Sequence, residues 1–597
     1  MDRKSIIVLV ACLLLLLAWP SLINKIYPPK PLPKGTNSVA VTNPVVAATQ
    51  AEAVVTQAVV QPVVAAVVPA GAPELVIVVT NQNARYTFTS HGGGLKSVAL
   101  TKYPETVVGF GRKRTLGDTN LATLNTDAPT PVFALVGDSA LQGDGLYKLS
   151  PTGSGVRAEK QLTNGLYVVK DFQLASNYLL NATVRIENRS GGAFALPAAQ
   201  IIAGTATPLN SHDDETLVGA YWYDGSKEHF ADQAWFANST LGCIPGTPRE
   251  EYREGMNNVV WSAVVNQFFG LVVIPREPAM QFVAHKILLP PPTREEIAAD
   301  PKTMTKPFAF QTMLLYAPTN LAAGAAFEQH YAMFAGPKEY RTLDHIGAEF
   351  KNKVDLIMGY SGFFGFFSKG LLLSMNGIHA LFGGHLGYGW VIIIITVLLK
   401  LLFWPLTQAS TRSMKKMQEL QPQVKAIQEK YKDEPQKVQQ KMMALWKENK
   451  VSPVSGCLPM LVQIPVFIGF FMMVRSAIEL RGAQFLWAMD LASPDTIFYL
   501  PGLNIPVNPL SILMGITMFF QARMTPMSPG MDPAQAKMMK YMPLMFLVLL
   551  YNYSAGLTLY WTTQNLLTIA QMKLTRSADK KPASAPAPVN PAPKKKK

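Results

Sequence analysis

One ionisable side chain stands inside the most apolar stretch of this chain. Lys400 interrupts the run VIIIITVLLKLLFWPL (Val391–Leu406), with Thr396 one helical turn before it. A charge at the centre of a membrane helix costs between about 2.5 and about 15 kcal/mol, depending on the reference state. Such residues therefore face a protein interior or a water-filled cavity, and mark function. The competing possibility is that Lys400 snorkels, since it lies roughly 9 Å from the nearer end of the run at 1.5 Å per residue. Other polar residues decide between the two. Gln463 sits inside GCLPMLVQIPVF, and Thr558, Thr562 and Asn565 fall at i, i+4 and i+7, on one helix face. A lone threonine in an apolar helix often bonds only its own backbone. Hydrophilic positions on three separate apolar segments together point to a wet groove with Lys400 as its charge.

Little else offers chemistry. Cys12, Cys243 and Cys457 are far apart and suggest neither a disulfide framework nor a metal site. His91, His212, His229 and His285 are scattered without zinc-ligand spacing, and no Walker-type phosphate loop occurs. The acidic cluster Asp213-Asp214-Glu215 reads as a solvated loop. No cofactor is expected.

The elements that must position these residues emerge from composition. The 597 residues are 49% hydrophobic and 16% charged, which leans towards the membrane class, yet the apolar residues gather in discrete blocks. Arg3 and Lys4 precede the apolar stretch Ile6–Ile23, so 1–27 is either a signal peptide or a retained anchor. Leu9-Val10-Ala11-Cys12 looks like a lipoprotein cleavage box, but the apolar run continues past the cysteine, which favours the anchor. Residues 28–73, rich in Pro, Ala, Val, Thr and Gln, read as a disordered tether. From 74 to 335, short runs such as LVIVVT, LYVVKDF and FFGLVVI alternate with turn residues, which predicts one large all-β sandwich. Residues 336–387 hold a linker and an amphipathic helix lying in the membrane interface, with Phe363, Phe366, Phe367, Leu371, Met375, Ile378 and Phe382 on its apolar side. Five further spans are expected at 388–406, 456–475, 509–524, 538–553 and 554–573. Several are short, since ~15 residues make only ~22 Å of helix against a ~30 Å hydrocarbon core. Short spans thin the bilayer locally.

The net charge is +15, and its location matters more than its total. Basic residues crowd the segment 407–455, recur as Arg523, Lys537 and Lys540 in and beside the loop 525–537, and close the chain in the tail 574–597. The loop 476–508 holds few bases against Glu479, Asp490 and Asp495. By the positive-inside rule, both termini face the cytoplasm and the β domain lies across the membrane. Within 407–455, Met414, Met417, Leu420, Val424, Ile427 and Tyr431 outline one helix, kinked at Pro422. Asp433-Glu434-Pro435 breaks it, and Val438, Met442 and Leu445 outline a second. This predicts a cytoplasmic helical hairpin whose basic excess suits ribosomal RNA or anionic lipid.

Four stretches carry a family resemblance: IIIITVLLKLLFWPLT (Ile392–Thr407), Met414–Phe467, LMGITMFFQARM (Leu513–Met524) and SAGLTLYWTTQNLLTIAQ (Ser554–Gln571). They resemble the YidC membrane-protein insertase family in its Gram-negative form. SHGGGLKSVAL and VVWSAVVNQFFGLVVIP match that family's periplasmic domain. The resemblance implies a multi-domain membrane protein of the bacterial inner membrane. It would combine a six-span α-helical core, a cytoplasmic helical hairpin and an all-β periplasmic supersandwich of the galactose-mutarotase type, without enzymatic activity. The implied partners are nascent membrane proteins, membrane lipids, the Sec translocon and the ribosome. On this chain the substrate groove would be formed by Lys400, Thr396, Gln463, Thr558, Thr562 and Asn565. Ribosome or cytoplasmic contact would fall to Lys415, Lys416, Lys425, Lys430, Lys594 and Lys597. Lys400 stands where the family usually has arginine: the charge is kept, the fork-shaped donor set is lost. GLNIPVN lengthens the outer loop relative to the family pattern. The alternatives are a membrane transporter, which would show repeats among the spans, and a tethered carbohydrate-active protein.

Overall fold

The computed structural model of the chain describes residues 72–107, 120–210, 213–238, 246–294, 297, 308–432, 434–449, 451, 458–502, 505–525 and 533–578. The expected anchor, nearly all of the tether and the tail beyond 578 lie outside the described residues, as do Cys12, Cys243, Cys457, His212, Lys594 and Lys597. Residues 65–236 and 249–597 form one compact unit; 1–64 and 237–248 form another, almost all of it outside the described residues.

The β domain is built from antiparallel ladders. A nine-stranded sheet runs from Glu228–Asp232 through Gly219–Tyr223, Trp261–Val265, Phe269–Pro275, Ala326–Pro337, Leu179–Asn188, Leu166–Leu174 and Gly155–Gln161 to Lys148–Thr152. A five-stranded sheet orders Glu251–Glu254, Gln281–Leu288, Phe308–Leu315, Gln200–Ala206 and Leu135–Val136. Trp261–Val265 and Phe269–Pro275 of the first pack on Gln200–Ala206 of the second. The period of two shows on Leu166–Leu174, where alternate side chains from Leu166 to Phe172 are buried. Phe269–Pro275 and Phe308–Leu315 are buried along their whole length, because both their faces are covered. Trp261, Phe269, Phe282, Phe310 and Phe334 fill the space between the layers. A third, four-stranded sheet, Val76–Thr80 to Leu121–Leu124, and a two-stranded ladder of Phe194–Leu196 with Thr319–Leu321 add to the domain.

Helix α1 (Tyr340–Glu349) and a 3-10 turn (Val354–Met358) add Leu343, Ile346, Val354 and Ile357 to the same core. Gly359 closes that turn in the left-handed region (φ 72°), a conformation that favours glycine, and the chain leaves the β domain there. Nine helices follow among the described residues: α2 (Gly362–Leu381), α3 (Tyr388–Leu402), α4 (Trp404–Glu419), α5 (Gln421–Lys430), α6 (Pro435–Glu448), α7 (Leu458–Ser476), α8 (Pro509–Met524), α9 (Pro533–Leu550) and α10 (Ala555–Ala578). α2 packs along α7, α8 along α9 and α10, and α3 along α10; α5 and α6 pack on each other.

Two prolines mark helix starts, one of them where a kink was expected. The apolar helix stops at Leu402 and bends by 58° into α4. Pro405 falls in the first turn of α4, where a missing N–H leaves no bond unmade. The expected kink at Pro422 is instead a break at Leu420, with Pro422 in the first turn of α5. Among the described residues no single helix is long and apolar enough to cross a membrane by itself; α3 and α4 together have that length and composition.

The β domain grips the end of α7. Arg475 pairs with Asp214 and donates to Thr216 Oγ1 at 2.7 Å, while Gln267 Nε2 donates to the Arg475 carbonyl at 2.9 Å. Arg481 Nη2 donates to the carbonyls of Pro104 and Glu105, both at 2.8 Å. The acidic cluster expected to be a solvated loop therefore serves a contact between the β sheets and the helices.

Candidate functional site

On α3 the buried positions Val391, Ile392, Ile395, Thr396 and Lys400 recur at helical spacing, whereas Leu398, Leu401 and Leu402 are exposed. Lys400 is thereby turned inward, and only 7% of it is accessible. Its Nζ donates to Thr568 Oγ1 at 2.8 Å, and the Thr568 hydroxyl donates onward to the Gln564 carbonyl at 2.7 Å. Among the described residues no carboxylate pairs with Lys400. An ammonium has three donors, so this one retains capacity for an incoming acceptor.

Lys400 borders a small, partly open cavity with about 20 Å³ of room for water-sized molecules. The polar side chains on its wall are Lys400, Thr407, Gln463, Tyr560 and Gln564; Leu399, Phe403, Leu406 and Val466 supply the apolar remainder. Four helices contribute: α3, α4, α7 and α10. The bend between α3 and α4 brings Thr407 to the rim, and Gln571 Nε2 of α10 donates to Thr407 Oγ1 at 2.8 Å.

The six groove residues named from sequence separate into three pairs. Lys400 and Gln463 line the cavity. Thr396 is fully buried and bonds the Ile392 carbonyl at 2.6 Å; Thr558, also fully buried, bonds the Ala555 carbonyl at 3.1 Å. Asn565 Nδ2 reaches across to Thr517 Oγ1 of α8 at 3.1 Å. Thr562 Oγ1 is buried without a hydrogen-bond partner, and so is Gln521 Oε1 of α8. A second polar seam thus lies between α8 and α10. From α10 the cavity takes Tyr560 and Gln564, while Thr568 holds Lys400; the three are spaced i, i+4 and i+8, a face that the sequence reading did not single out. That spacing was visible, but Tyr560 reads as an ordinary apolar position.

Of the basic residues assigned to cytoplasmic contact, Lys416, Lys425 and Lys430 are exposed and Lys415 is half-buried, all on α4 and α5. Among the described residues no cluster of His, Cys, Asp or Glu could hold a metal.

Comparison with known proteins decides the family. A model of the YidC periplasmic domain matches residues 76–373, and a model described as the 60Kd inner membrane protein matches residues 378–582. The membrane protein insertase YidC of Syntrophus aciditrophicus is 31% identical over 96% of this chain and 98% of its own length. The chain belongs to the YidC family of membrane protein insertases. The Oleidesulfovibrio alaskensis YidC is likewise 31% identical over 96% of this chain and 98% of its own. The Ralstonia nicotianae YidC reaches 44% identity, aligned over 42% of each chain. A solved structure described as an active YidC insertase with its first transmembrane domain resolved is 18% identical, covers 84% of this chain and 93% of its own, and has a TM-score of 0.34. As a member of the YidC family the chain is a membrane protein with a mostly β periplasmic domain, and insertion is not an enzymatic activity.

Proposed function

We propose that this chain inserts nascent membrane proteins through the Lys400 cavity, alone or beside the Sec translocon. The observation that carries the proposal is a buried ammonium, with no carboxylate partner among the described residues, on the wall of a small, partly open cavity among apolar helices. A polar or acidic segment of the client enters from the cytoplasmic side, and Lys400, Gln463, Thr407 and Gln564 replace the water it loses. Its hydrophobic segment then passes into lipid, gaining about 25 cal/mol per Å² of apolar surface removed from water. The buried seam of Thr562, Asn565 and Thr517 gives α8 and α10 polar contacts beside that path. No nucleotide is required.

The topology that accompanies this is six spans with both termini cytoplasmic: the anchor 1–27, α3 with the start of α4, α7, α8, α9 and α10. α2 lies in the interface, and the α4–α6 hairpin faces the ribosome or anionic lipid, aided by the basic tail.

The test uses purified protein in proteoliposomes without Sec or ATP, scoring protease protection of a small two-span client. Insertion by wild type and Lys400→Arg but not by Lys400→Ala is the expected result. Equal insertion by all three would reduce Lys400 to a snorkelling residue.

A further inference from the structure

The loop between α7 and α8 contains a small antiparallel ladder, Phe498–Tyr499 against Pro506–Val507. Its base is pinned from several sides. Asn508, fully buried, accepts from Thr496 Oγ1 at 2.7 Å and donates to the Tyr551 carbonyl at 2.9 Å. The Tyr551 hydroxyl donates to the Pro506 carbonyl at 2.7 Å. The Asp495 carboxylate accepts from the Leu510 N–H at 2.6 Å and from Trp487 Nε1 at 2.9 Å, tying the loop to the start of α8. Leu500 N–H and the Ile505 carbonyl, 2.9 Å apart, extend the ladder beyond its named strands.

A ladder held this firmly projects its outer residues as a unit, and they are apolar. Phe498, Tyr499, Leu500 and Ile505 are between 39% and 50% exposed. No charged side chain occurs from Thr496 to Ala522. Water-facing strand edges normally carry charge or are covered, because a bare apolar edge recruits other chains. Here the same uncharged sequence runs straight into α8, whose Ile512, Leu513, Ile516 and Phe520 are also exposed. The loop lies at the β-domain end of the helices, as the bonds from Arg481 to Pro104 and Glu105 require.

We infer that this hairpin dips into the boundary between lipid headgroups and acyl chains on the β-domain side of the membrane, with Phe498, Tyr499, Leu500 and Ile505 as the inserted residues. The inference rests on the proposed membrane core, since its support is continuity with the α8 surface. Lipid fits better than a protein partner because the surface offers no charge to set the register of a docked chain. The Tyr499 ring, apolar with a polar tip, suits the boundary zone.

The test uses the full chain with its three cysteines replaced by serine, reconstituted in vesicles of phosphatidylcholine and phosphatidylglycerol. Single cysteines are placed by Phe498→Cys and Leu500→Cys and labelled with a small fluorophore. Leu513→Cys reports the helical core, and Met256→Cys, in the β domain and 90% exposed, reports water. Quenching is compared between aqueous iodide and a phosphatidylcholine carrying a nitroxide near the top of its acyl chain. Positions 498 and 500 should be quenched severalfold more by the lipid nitroxide than by iodide. Iodide quenching as strong as at 256 would overturn the inference, as would shielding from both quenchers, which would mean that protein covers the hairpin. Lipid quenching at 513 alone would sink only the hairpin's insertion; its absence at 513 would sink the membrane-core proposal itself.

Discussion

Lys400 and Thr568, 168 residues apart in sequence, meet at 2.8 Å with the lysine donating and the threonine hydroxyl accepting. The bond holds the ammonium against the α10 wall of the cavity while leaving donors free. Thr568→Val keeps the side-chain volume but removes the acceptor, and a lost bond to a charged group costs about 1.5–3 kcal/mol. The variant is expected to lower the thermal stability of the purified protein. Its insertion activity should fall less than that of Lys400→Ala, because the charge itself stays. Client protection in proteoliposomes measures the second effect, and equal losses in the two variants would show that position matters as much as charge.

The pairing of Arg475 with Asp214 joins the end of α7 to the β domain. Both side chains are roughly 30% accessible, so the pair is worth more than a surface ion pair and less than a fully buried one. Arg475→Ala removes the contact to Asp214 and to Thr216 together and should cost about 1–2 kcal/mol by loss of charge-assisted hydrogen bonds. Hydrogen exchange of amides 213–218 should speed up. The double exchange Asp214→Arg with Arg475→Asp should restore much of the protection; no recovery would indicate that Thr216 and the Gln267 bond dominate.

Lys338 supplies a pH dependence. It is buried at the end of its strand, and burial, only partly offset by Asp213, pushes its ammonium down to about 7 from the ordinary 10.5. Above 7 the folded chain has released a proton that the unfolded chain keeps up to 10.5. Stability therefore rises with pH across that interval and is lowest below 7. Lys338→Met should raise the unfolding temperature at neutral pH and flatten the alkaline rise. Thermal unfolding followed at pH 6, 7.5 and 9 would check this, and an unchanged slope would rule Lys338 out as its source.

Gly469 marks a close approach of α7 to α2. A Cβ there would lie 2.6 Å from Phe367 Cβ and 3.1 Å from its carbonyl carbon, closer than packed atoms tolerate. Gly469→Val must separate the two helices, at a cost of about 1–3 kcal/mol for overpacking. A melting temperature in detergent that did not fall would mean α2 shifts freely over α7.

Much of this molecule was legible because its signals are local. The runs of β-branched residues between 74 and 335 could be read as strands, since a period of two is a property of a few consecutive residues. Lys400 stood out because one charge in an apolar run has no neighbours to hide among. The apolar face of Met414, Met417, Leu420 and Val424 was equally plain, but the break at Leu420 was not, because proline is permitted both in a kinked helix and in a first turn.

The sequence by itself determined which segments are apolar, where charge is tolerated, and that one lysine must find a polar niche. Only the tertiary structure decided what that niche is. Thr558, Thr562 and Asn565 form the more polar-looking stripe on α10, yet Asn565 faces α8 and the Tyr560, Gln564 and Thr568 side faces Lys400. Which side of a helix meets a cavity depends on how its neighbours pack around it. The pairing of Arg475 with Asp214 spans 261 residues and was no more readable, because a contact between distant segments exists only once sheets and helices are docked.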